Sequence, residues 1–250
     1  MIKLRGRDVA CVTGFNKWNP CDDDFYQTIH DYNMGCRRDV MPHEKIVTDM
    51  PQDKLREIVA DDTVCDEDLA SEVTRRLTEQ VEAASKQNGQ IKADIQMPDI
   101  DDATATAIAA AVEQSAGIKR GLDCEEIALD TYQAAAKVKV TKRNAQLHTY
   151  EFMAGKYKFL VRSMFDGMVG DRIIETKERR NRMFSCIPIY EKIQLEVYMR
   201  TIDVHKATHI QNFGGKQKIV EYTRNDQLWN SVLERLEAFG DKYAEKFGGK

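Results

Sequence analysis

The 250-residue sequence predicts a mixed α/β (α+β) fold in which a central mixed β-sheet is flanked by helices. Three features carry this prediction. The first is a stretch over residues 51–116 that is rich in Ala, Glu, Gln, Lys and Leu, a composition typical of helices. The second is a change to strand-like alternation from Val138. The third is a pair of strands joined by a glycine turn, followed by an amphipathic C-terminal helix.

The N-terminal half is predicted to be mainly helical. Residues 1–33 suggest a helix, a loop and a second helix, since the apolar run VACVTGF and the segment FYQTIHDY flank the turn-rich NKWNPCDDD. The turn-like stretches QNGQ and MPDIDD break the helical region that follows. Gly117 and Gly121 predict a further interruption before a new helix begins at Leu122.

The C-terminal half is predicted to hold the sheet. After the short strand VKVT, residues 148–177 have the pattern of a three-stranded antiparallel meander. Pro188 suits the first turn of the helix IPIYEKIQLEVYMRTI. The strands VHKATHIQ and KQKIVEYT are joined by FGGK, and a helix from about Asn225 to Phe247 follows.

The composition narrows the class of protein. It is 42% hydrophobic and 31% charged, without an apolar run long enough to cross a membrane and without the pattern of a signal peptide. We therefore expect an intracellular, reducing location. The six cysteines form no CxxC pair, which argues against a zinc ribbon, an iron–sulfur site or a disulfide framework.

Charge is distributed unevenly along the chain, although the net charge is only −4. Residues 51–135 carry 8 Lys and Arg against 19 Asp and Glu, whereas residues 136–250 carry 22 against 14. The basic clusters at 137–143 and 177–182, which include Arg143 and Arg179, are candidates for contact with nucleic-acid phosphates. The alternative is that they are ordinary solvated surface.

Four side chains suggest a site at one edge of the sheet. Glu175 and Lys177 lie two apart on a predicted strand and therefore share a face, Asp166 ends the strand before it, and Glu125 lies on the helix ahead of the sheet. Carboxylates suit Mg²⁺ or Mn²⁺, and a lysine beside such an ion can act on a water that attacks a phosphodiester. The alternative is a same-face surface pair and an ordinary turn aspartate.

The helix after this strand adds a second motif. Gln194 and Tyr198 are four residues apart, so they share a helical face that can meet the charged edge of the sheet. With these residues the chain resembles the PD-(D/E)xK nucleases, in particular the bacteriophage lambda exonuclease and RecB-nuclease branch, also called YqaJ-type viral recombinases. The resemblance covers about residues 117–200 and implies a restriction-endonuclease-like core with an added helical region. The matching residues are Gly121 with Glu125, Asp166-Gly167, Glu175-Thr176-Lys177, and Gln194 with Tyr198.

The resemblance implies a role for each residue of the site. Asp166 and Glu175 would bind one or two Mg²⁺ or Mn²⁺ ions, with the backbone carbonyl of Thr176 as a further ligand. Glu125 would complete the metal site or help to hold the water, and Lys177 would act on the nucleophile.

The family also implies residues that contact the substrate. Gln194 and Tyr198 would organise the site and touch DNA. The segment VTGFNKWNP at 12–20, which contains Lys17 and Trp18, is similar to an N-terminal family motif for binding DNA ends. Core packing is the alternative role for the aromatic residues of this segment.

The function implied is that of a metal-dependent exonuclease on duplex DNA ends, 5′-to-3′, serving recombination or repair in a phage or other DNA virus. Residues 1–116 would form a helical part that binds DNA ends and residues 117–250 the catalytic core, and we expect the two parts to make up one compact domain. A single-strand annealing protein would be the natural partner, and a homo-oligomer is also allowed. The alternatives are an endonuclease of the same fold and a catalytically silent module that binds DNA ends or another protein.

One further motif is set aside on its sequence. His205 and His209 in HKATH have the spacing of a helical zinc pair, but Lys206 stands where a zinc protease needs its glutamate. The surrounding residues also predict a strand, on which these two histidines do not have the helical relationship that such a pair requires.

Overall fold

The computed structural model consists of two compact units, each of which is described by itself. The sheet unit comprises Met1–Arg38 and Glu125–Lys250, and the helical unit comprises Asp39–Cys124. The described residues are 1–35, 41–59, 63–87, 91, 93, 101–143, 146–179 and 181–248. Most of the predicted breaks at MPDIDD and QNGQ lies outside them, as does one residue of the basic cluster at 177–182.

The helical unit packs its helices around an aliphatic core. Its elements are α3 (Pro42–Thr48), α4 (Gln52–Val59), α5 (Leu69–Ser85) and the first part of α6 (Asp102–Ala136). In α5 the buried side chains recur every three or four residues, so they form one apolar face. That face packs with residues of α4 and α6, which include Leu55, Ile58, Ile108 and Val112. The prediction that this region is helical is therefore confirmed for the residues described.

Helix α6 is continuous where the sequence predicts an interruption. It runs through Gly117 and Gly121 without a break from Asp102 to Ala136. A glycine inside a helix costs only about 1 kcal/mol relative to alanine, a cost that the Ala-rich segments on both sides can offset. The predicted new start at Leu122 is wrong, and Glu125 lies in the middle of a long helix.

The first sheet of the sheet unit has the strand order β1-β3-β2. Strands β2 (His148–Ala154) and β3 (Tyr157–Ser163) form an antiparallel hairpin, and β1 (Ile2–Arg5) runs parallel to β3. No strand was predicted here, whereas the helices predicted at VACVTGF and FYQTIHDY are confirmed as Val9–Val12 and Asp23–Met34. Four residues carry too little periodicity to reveal a strand, and β1 forms through pairing with a strand more than 150 residues away.

The second sheet has the order β4-β5-β6-β7. Its strands are β4 (Gly167–Val169), β5 (Arg172–Glu178), β6 (Lys206–Phe213) and β7 (Lys216–Thr223). Strands β5 and β6 are parallel, and the predicted hairpin of β6 and β7 is confirmed, with positive φ at Gly214 and Gly215. In HKATH, residues 206–209 begin β6 and His205 lies just before the strand.

The predicted three-stranded meander is wrong, because the chain changes sheets in the middle of it. Strands β2 and β3 belong to the first sheet, whereas β4 and β5 belong to the second. The switch falls just before Asp166, whose neighbour Gly167 opens β4. The predicted strand VKVT is reduced to one bridge between Thr141 and Met168. The mixed α/β class is confirmed, with two mixed sheets in place of one central sheet.

Helices pack on both sheets. After β1 come a 3₁₀ turn (Gly6–Asp8), α1 (Val9–Val12) and α2 (Asp23–Met34), and the later helices are α7 (Ile189–Thr201) and α8 (Asp226–Phe247). The side chain of Asn225 caps α8 by accepting the backbone N–H of Leu228 at 2.9 Å. Helix α7 is buried on nearly all sides, so polar residues on it are held inside the protein. Among the described residues, no helix is both long enough and apolar enough to span a membrane.

Candidate active site

The site begins where the chain crosses from one sheet to the other. The pairing of Gly167 with Ile174 places Asp166 opposite Glu175 in the continuation of the ladder between β4 and β5. On β5 the side chains alternate as predicted, because Ile173 packs in the main core whereas Ile174 packs in a cluster with α6. Glu175 and Lys177 therefore share the face of Ile173.

Asp166 is held by the backbone and side chain of one residue. Its Oδ2 accepts hydrogen bonds from the backbone N–H of Thr176 at 2.6 Å and from the Thr176 hydroxyl at 2.8 Å. Burial raises the pKa of Asp166, although the charge of Lys177 and the two bonds from Thr176 act in the opposite direction. The two bonds from Thr176 therefore fix the position of this carboxylate, and its raised pKa means that it binds a proton more tightly than an exposed aspartate does.

The Thr176 carbonyl is directed towards the same place. In a strand the N–H and C=O of one residue point to the same edge, and the N–H of Thr176 points to Asp166. The carbonyl oxygen is therefore turned to the side of Asp166, beyond the end of β4. This direction suits its expected part as a ligand, which stays a prediction.

Glu175 has one satisfied and one unsatisfied oxygen. Its Oε1 accepts a hydrogen bond from Lys177 Nζ at 2.5 Å, whereas its Oε2 is buried without a hydrogen-bond partner among the described residues. Burial and the nearby charge of Asp166 raise the pKa of Glu175 to about 8. Leaving a buried acceptor without a partner costs about 1–3 kcal/mol, so this oxygen is a candidate for an external ligand.

Lys177 keeps its proton in this arrangement. Burial acts to lower the pKa of Lys177, but the charges of Glu175 and Asp166 and the bond to Glu175 outweigh it, so the pKa is raised. An ammonium group has three donors and no lone pair. Lys177 can therefore donate to an oxygen of a water or a phosphate, but it cannot coordinate a metal ion.

Glu125 approaches the site from α6. Its side chain is half-buried, and its charge adds to the raised pKa of Glu175, after the larger effects of burial and Asp166. Among the described residues, no group of three or more His, Cys, Asp or Glu is arranged to hold a metal ion. The carboxylates of Asp166 and Glu175 are instead engaged by Thr176 and Lys177, and a bound cation would have to compete with these bonds.

Gln194 and Tyr198 form a pair on α7. The Gln194 side-chain amide donates to the Tyr198 hydroxyl at 2.6 Å. Burial raises the pKa of Tyr198, and the charges of Glu175, Lys177 and Asp166 all act on that pKa. The pair therefore faces the charged edge of the sheet, as its helical spacing suggested.

Sequence reasoning missed Gly6. A Cβ built there would lie 2.7 Å from the ring of Tyr198 and 3.2 Å from the Ser163 hydroxyl, so any side chain would push the Tyr198 ring out of place. No local pattern around Gly6 signals this contact, because Tyr198 is almost 200 residues away in the sequence.

In the predicted DNA-binding segment at 12–20, the first two residues are buried and the rest are partly or fully exposed. The Trp18 side chain is 88% exposed, which excludes core packing for it. Lys17 lines a cleft of about 540 Å³ together with residues of α8. Phe15 is covered by the guanidinium of Arg235 at 4.2 Å from its ring centroid, so it does pack within the protein.

Two arginines expected to bind DNA are engaged by carboxylates of the protein itself. Arg143 pairs with Asp130 at 2.7 Å and with Glu126 at 3.2 Å, both on α6. Arg179 forms two bonds with Glu191. Their contact with DNA stays a prediction and would require these pairs to open.

Comparison with models of known protein families matches residues 67–208 to the YqaJ-like viral recombinase domain, over more than half of the chain. The matched region contains all the residues gathered at the candidate site except Gly6, and it excludes the segment at 12–20. A search of curated protein sequences finds no match.

Comparison with solved structures finds distant similarities. A phage-related exonuclease from Haemophilus somnus 129PT is 17% identical over 52% of this chain and 72% of its own, with a TM-score of 0.42. An alkaline exonuclease from Laribacter hongkongensis is 16% identical over 68% of this chain and 93% of its own, with a TM-score of 0.41. The protein SSO0001 is 15% identical over 57% of this chain, with a TM-score of 0.38, and the match spans 65% of its length.

Proposed function

The chain belongs to the YqaJ-like viral recombinase domain family, and from that premise we propose that it is a metal-dependent exonuclease that hydrolyses phosphodiester bonds at duplex DNA ends. One observation carries the proposal beyond the family. Glu175 presents a buried oxygen without a partner among the described residues, beside a second buried carboxylate and a lysine.

The donor set fits a hard divalent cation. Mg²⁺ and Mn²⁺ prefer carboxylate, carbonyl and water oxygens, which this edge of the sheet can supply. Asp166, Glu175 and the Thr176 carbonyl would hold the ion, with Glu125 as a further ligand or as a partner of the water. When bound, such an ion polarises a phosphate oxygen and lowers the pKa of a water.

The remaining residues would prepare the substrate for attack. Lys177, held by Glu175, would orient the attacking water or take part in moving its proton. Gln194 and Tyr198, which are bonded to each other, would hold the DNA strand in position beside the carboxylates. Lys17 and Trp18 would contact the DNA end through charge and base stacking.

The biological setting is proposed from the family. Digestion would run 5′-to-3′ and leave a single strand for recombination or repair in a phage or other DNA virus, inside the host cell. A single-strand annealing protein would then bind the exposed strand. A homo-oligomer that encloses the duplex is compatible with this use.

The proposal can be tested by digestion of DNA of defined form with Mg²⁺. The substrates are a linear duplex labelled at its 5′ or 3′ ends and a covalently closed circle of the same sequence. An exonuclease of the proposed polarity releases the 5′ label first and leaves the circle intact. Nicking of the circle would instead indicate an endonuclease, and unchanged DNA in both forms would indicate a silent binding module.

A further inference from the structure

A buried ionic network lies beside the candidate site. The Glu191 carboxylate accepts bonds from Arg179 Nη1 at 2.7 Å and Nη2 at 2.6 Å, and its Oε2 also lies 2.8 Å from His209 Nε2. Glu191 is 4% exposed and His209 is fully buried. Burial by itself would raise the pKa of Glu191, but the bonds from Arg179 and His209 outweigh it and hold the pKa at about 2.

The network connects the strands of the site to α7. Arg179 follows Glu175 and Lys177 at intervals of two residues, at the end of β5, and His209 is the residue of β6 that pairs with Glu175. Glu191 therefore reaches two neighbouring strands at once. Arg179 is thus two residues from Lys177 along the chain, and His209 lies directly opposite Glu175.

Glu191 also shares a helical face with the second motif of the site. Gln194 and Tyr198 lie three and seven residues after it on α7, which places all three side chains on the side of the helix that meets the sheet. The bonds of Glu191 therefore hold the first turn of α7 against β5 and β6. The Gln194–Tyr198 pair lies within the next two turns of the same helix.

Arg179 is itself held firmly. Its Nε donates to Gln211 Oε1 at 2.9 Å, and its guanidinium lies 4.5 Å from the ring centroid of Phe184. Paired bonds between a guanidinium and a carboxylate fix orientation as well as distance. Since Gln211 pairs with Lys177 across the two strands, the anchor for Glu191 is part of the same strand pair that carries the site.

We propose that Glu191 is a positioning residue, which holds α7 against β5 and β6 so that Gln194 and Tyr198 stay in place over the Glu175–Lys177 pair. The inference rests on the proposed nuclease function for its effect on turnover. Its physical content, a connection between α7 and β5, does not depend on that function.

Helix α7 offers a matched control in Glu196. This residue is also fully buried, and it accepts bonds from Arg200, from the Tyr222 hydroxyl and from the backbone N–H of Asn225. Its partners lie on α7 itself, on β7 and next to α8. Glu196→Gln therefore disturbs a buried charge on the same helix without touching β5 or β6.

The test compares Glu191→Gln with Glu196→Gln by amide hydrogen exchange and by steady-state digestion of linear duplex, with the free energy of unfolding measured for both. Glu191→Gln should speed exchange in residues 172–179 and lower kcat by up to about 10²-fold, the scale of a misplacement of about 1 Å, with KM little changed. Glu196→Gln should leave both the exchange of 172–179 and the kcat of the folded protein near wild type.

The positioning role is overturned if the two variants change the exchange of 172–179 equally, or if kcat falls only in proportion to lost stability in both. Should Glu191→Gln fail to fold, Arg179→Lys carries the same comparison, because it keeps the charge but loses the paired bonds. A wild-type protein that digests no DNA would remove the proposed function, and the exchange measurements would still decide whether Glu191 connects α7 to β5.

Discussion

Two buried glutamates in the sheet unit have opposite surroundings. Glu196, at the junction of α7, β7 and α8, has both carboxylate oxygens bonded, Oε2 by Arg200 and Oε1 by Tyr222 and by the N–H of Asn225. Glu175, on β5, has only the bond from Lys177 on Oε1, and its Oε2 has no partner among the described residues. Both side chains are buried, and each is bonded to a basic residue, Lys177 for Glu175 and Arg200 for Glu196.

This difference in bonding suggests different roles: the Glu196 carboxylate stabilises the fold, whereas the Glu175 carboxylate is available to bind a ligand. A buried charge is tolerated when its bonds are complete, and breaking such a pair costs about 3–5 kcal/mol. A buried carboxylate with an open oxygen has no such compensation, and perturbed groups of this kind concentrate at functional sites. Glu196 is therefore expected to matter for stability, and Glu175 for activity.

The largest expected effect is on catalysis. Glu175→Ala should lower DNA cleavage by about 10³-fold or more, because the metal that Glu175 would hold supplies several kcal/mol to the reaction. The variant should remain folded, since the Lys177 side chain, which loses its partner, is 27% exposed and can turn towards water. The measurement is the initial rate of duplex digestion with Mg²⁺, together with a thermal unfolding curve. Wild-type rates in Glu175→Ala would show that this residue is not part of the active site.

Lys177 should affect turnover without affecting the metal. Lys177→Ala is expected to lower kcat by about 10²–10⁴-fold, the usual contribution of a positioned acid or base. Mn²⁺ binding should persist, because an ammonium group has no lone pair for a metal. Lys177→Arg is the control for charge alone, since a guanidinium does not give up its proton. Loss of Mn²⁺ binding in Lys177→Ala would contradict the assigned role.

Glu196 should show the reverse pattern. Glu196→Ala leaves the Arg200 guanidinium buried without its partner on α7, so the free energy of unfolding should fall by about 3–5 kcal/mol. The specific activity of the folded protein should stay near wild type. Urea unfolding and digestion rates on the same samples give both values. A loss of activity larger than the unfolded fraction explains would show that Glu196, like Glu175, is needed for activity.

A smaller effect is expected in the pH dependence of stability. The pKa of Glu175 is raised from 4.5 to about 8 by burial and by Asp166. Between these values the folded, metal-free protein holds a proton that the unfolded chain releases, so the free energy of unfolding should fall as the pH rises through this range. Asp166, whose pKa is also raised, acts in the same direction.

Urea unfolding in the presence of a chelator, at the two ends of that range, measures this dependence. Glu175→Gln should flatten it, because glutamine does not titrate. Glu191 does not contribute here, since its pKa is lowered to about 2 and its stabilisation is lost only as the pH falls towards that value. An unchanged slope in Glu175→Gln would show that another group is responsible.

The sequence predicted the parts of this site that depend on spacing within one element. The alternation of a strand was enough to place Glu175 beside Lys177, and the period of a helix was enough to place Gln194 beside Tyr198. The ionic role of Arg179 was not predicted, because its partner Glu191 lies on another element and strand pairing decides whether they meet.

The errors in the fold have the same origin. The change of sheet before Asp166 and the pairing of β1 with β3 depend on contacts between residues distant in the sequence, which local patterns do not contain. The continuity of α6 through Gly117 and Gly121 shows the converse, in which a local helix-breaking signal is outweighed by the helix around it.

The most direct test of the central claim, that the open oxygen of Glu175 is part of a metal site, is calorimetric titration of Mn²⁺ into the wild-type protein, Glu175→Gln and Glu196→Gln in the absence of DNA. Glu175→Gln is nearly the same size as the wild type but has no charge, so it should lose most of the heat of binding. Glu196→Gln should titrate like the wild type. Equal Mn²⁺ binding by all three proteins would contradict the claim.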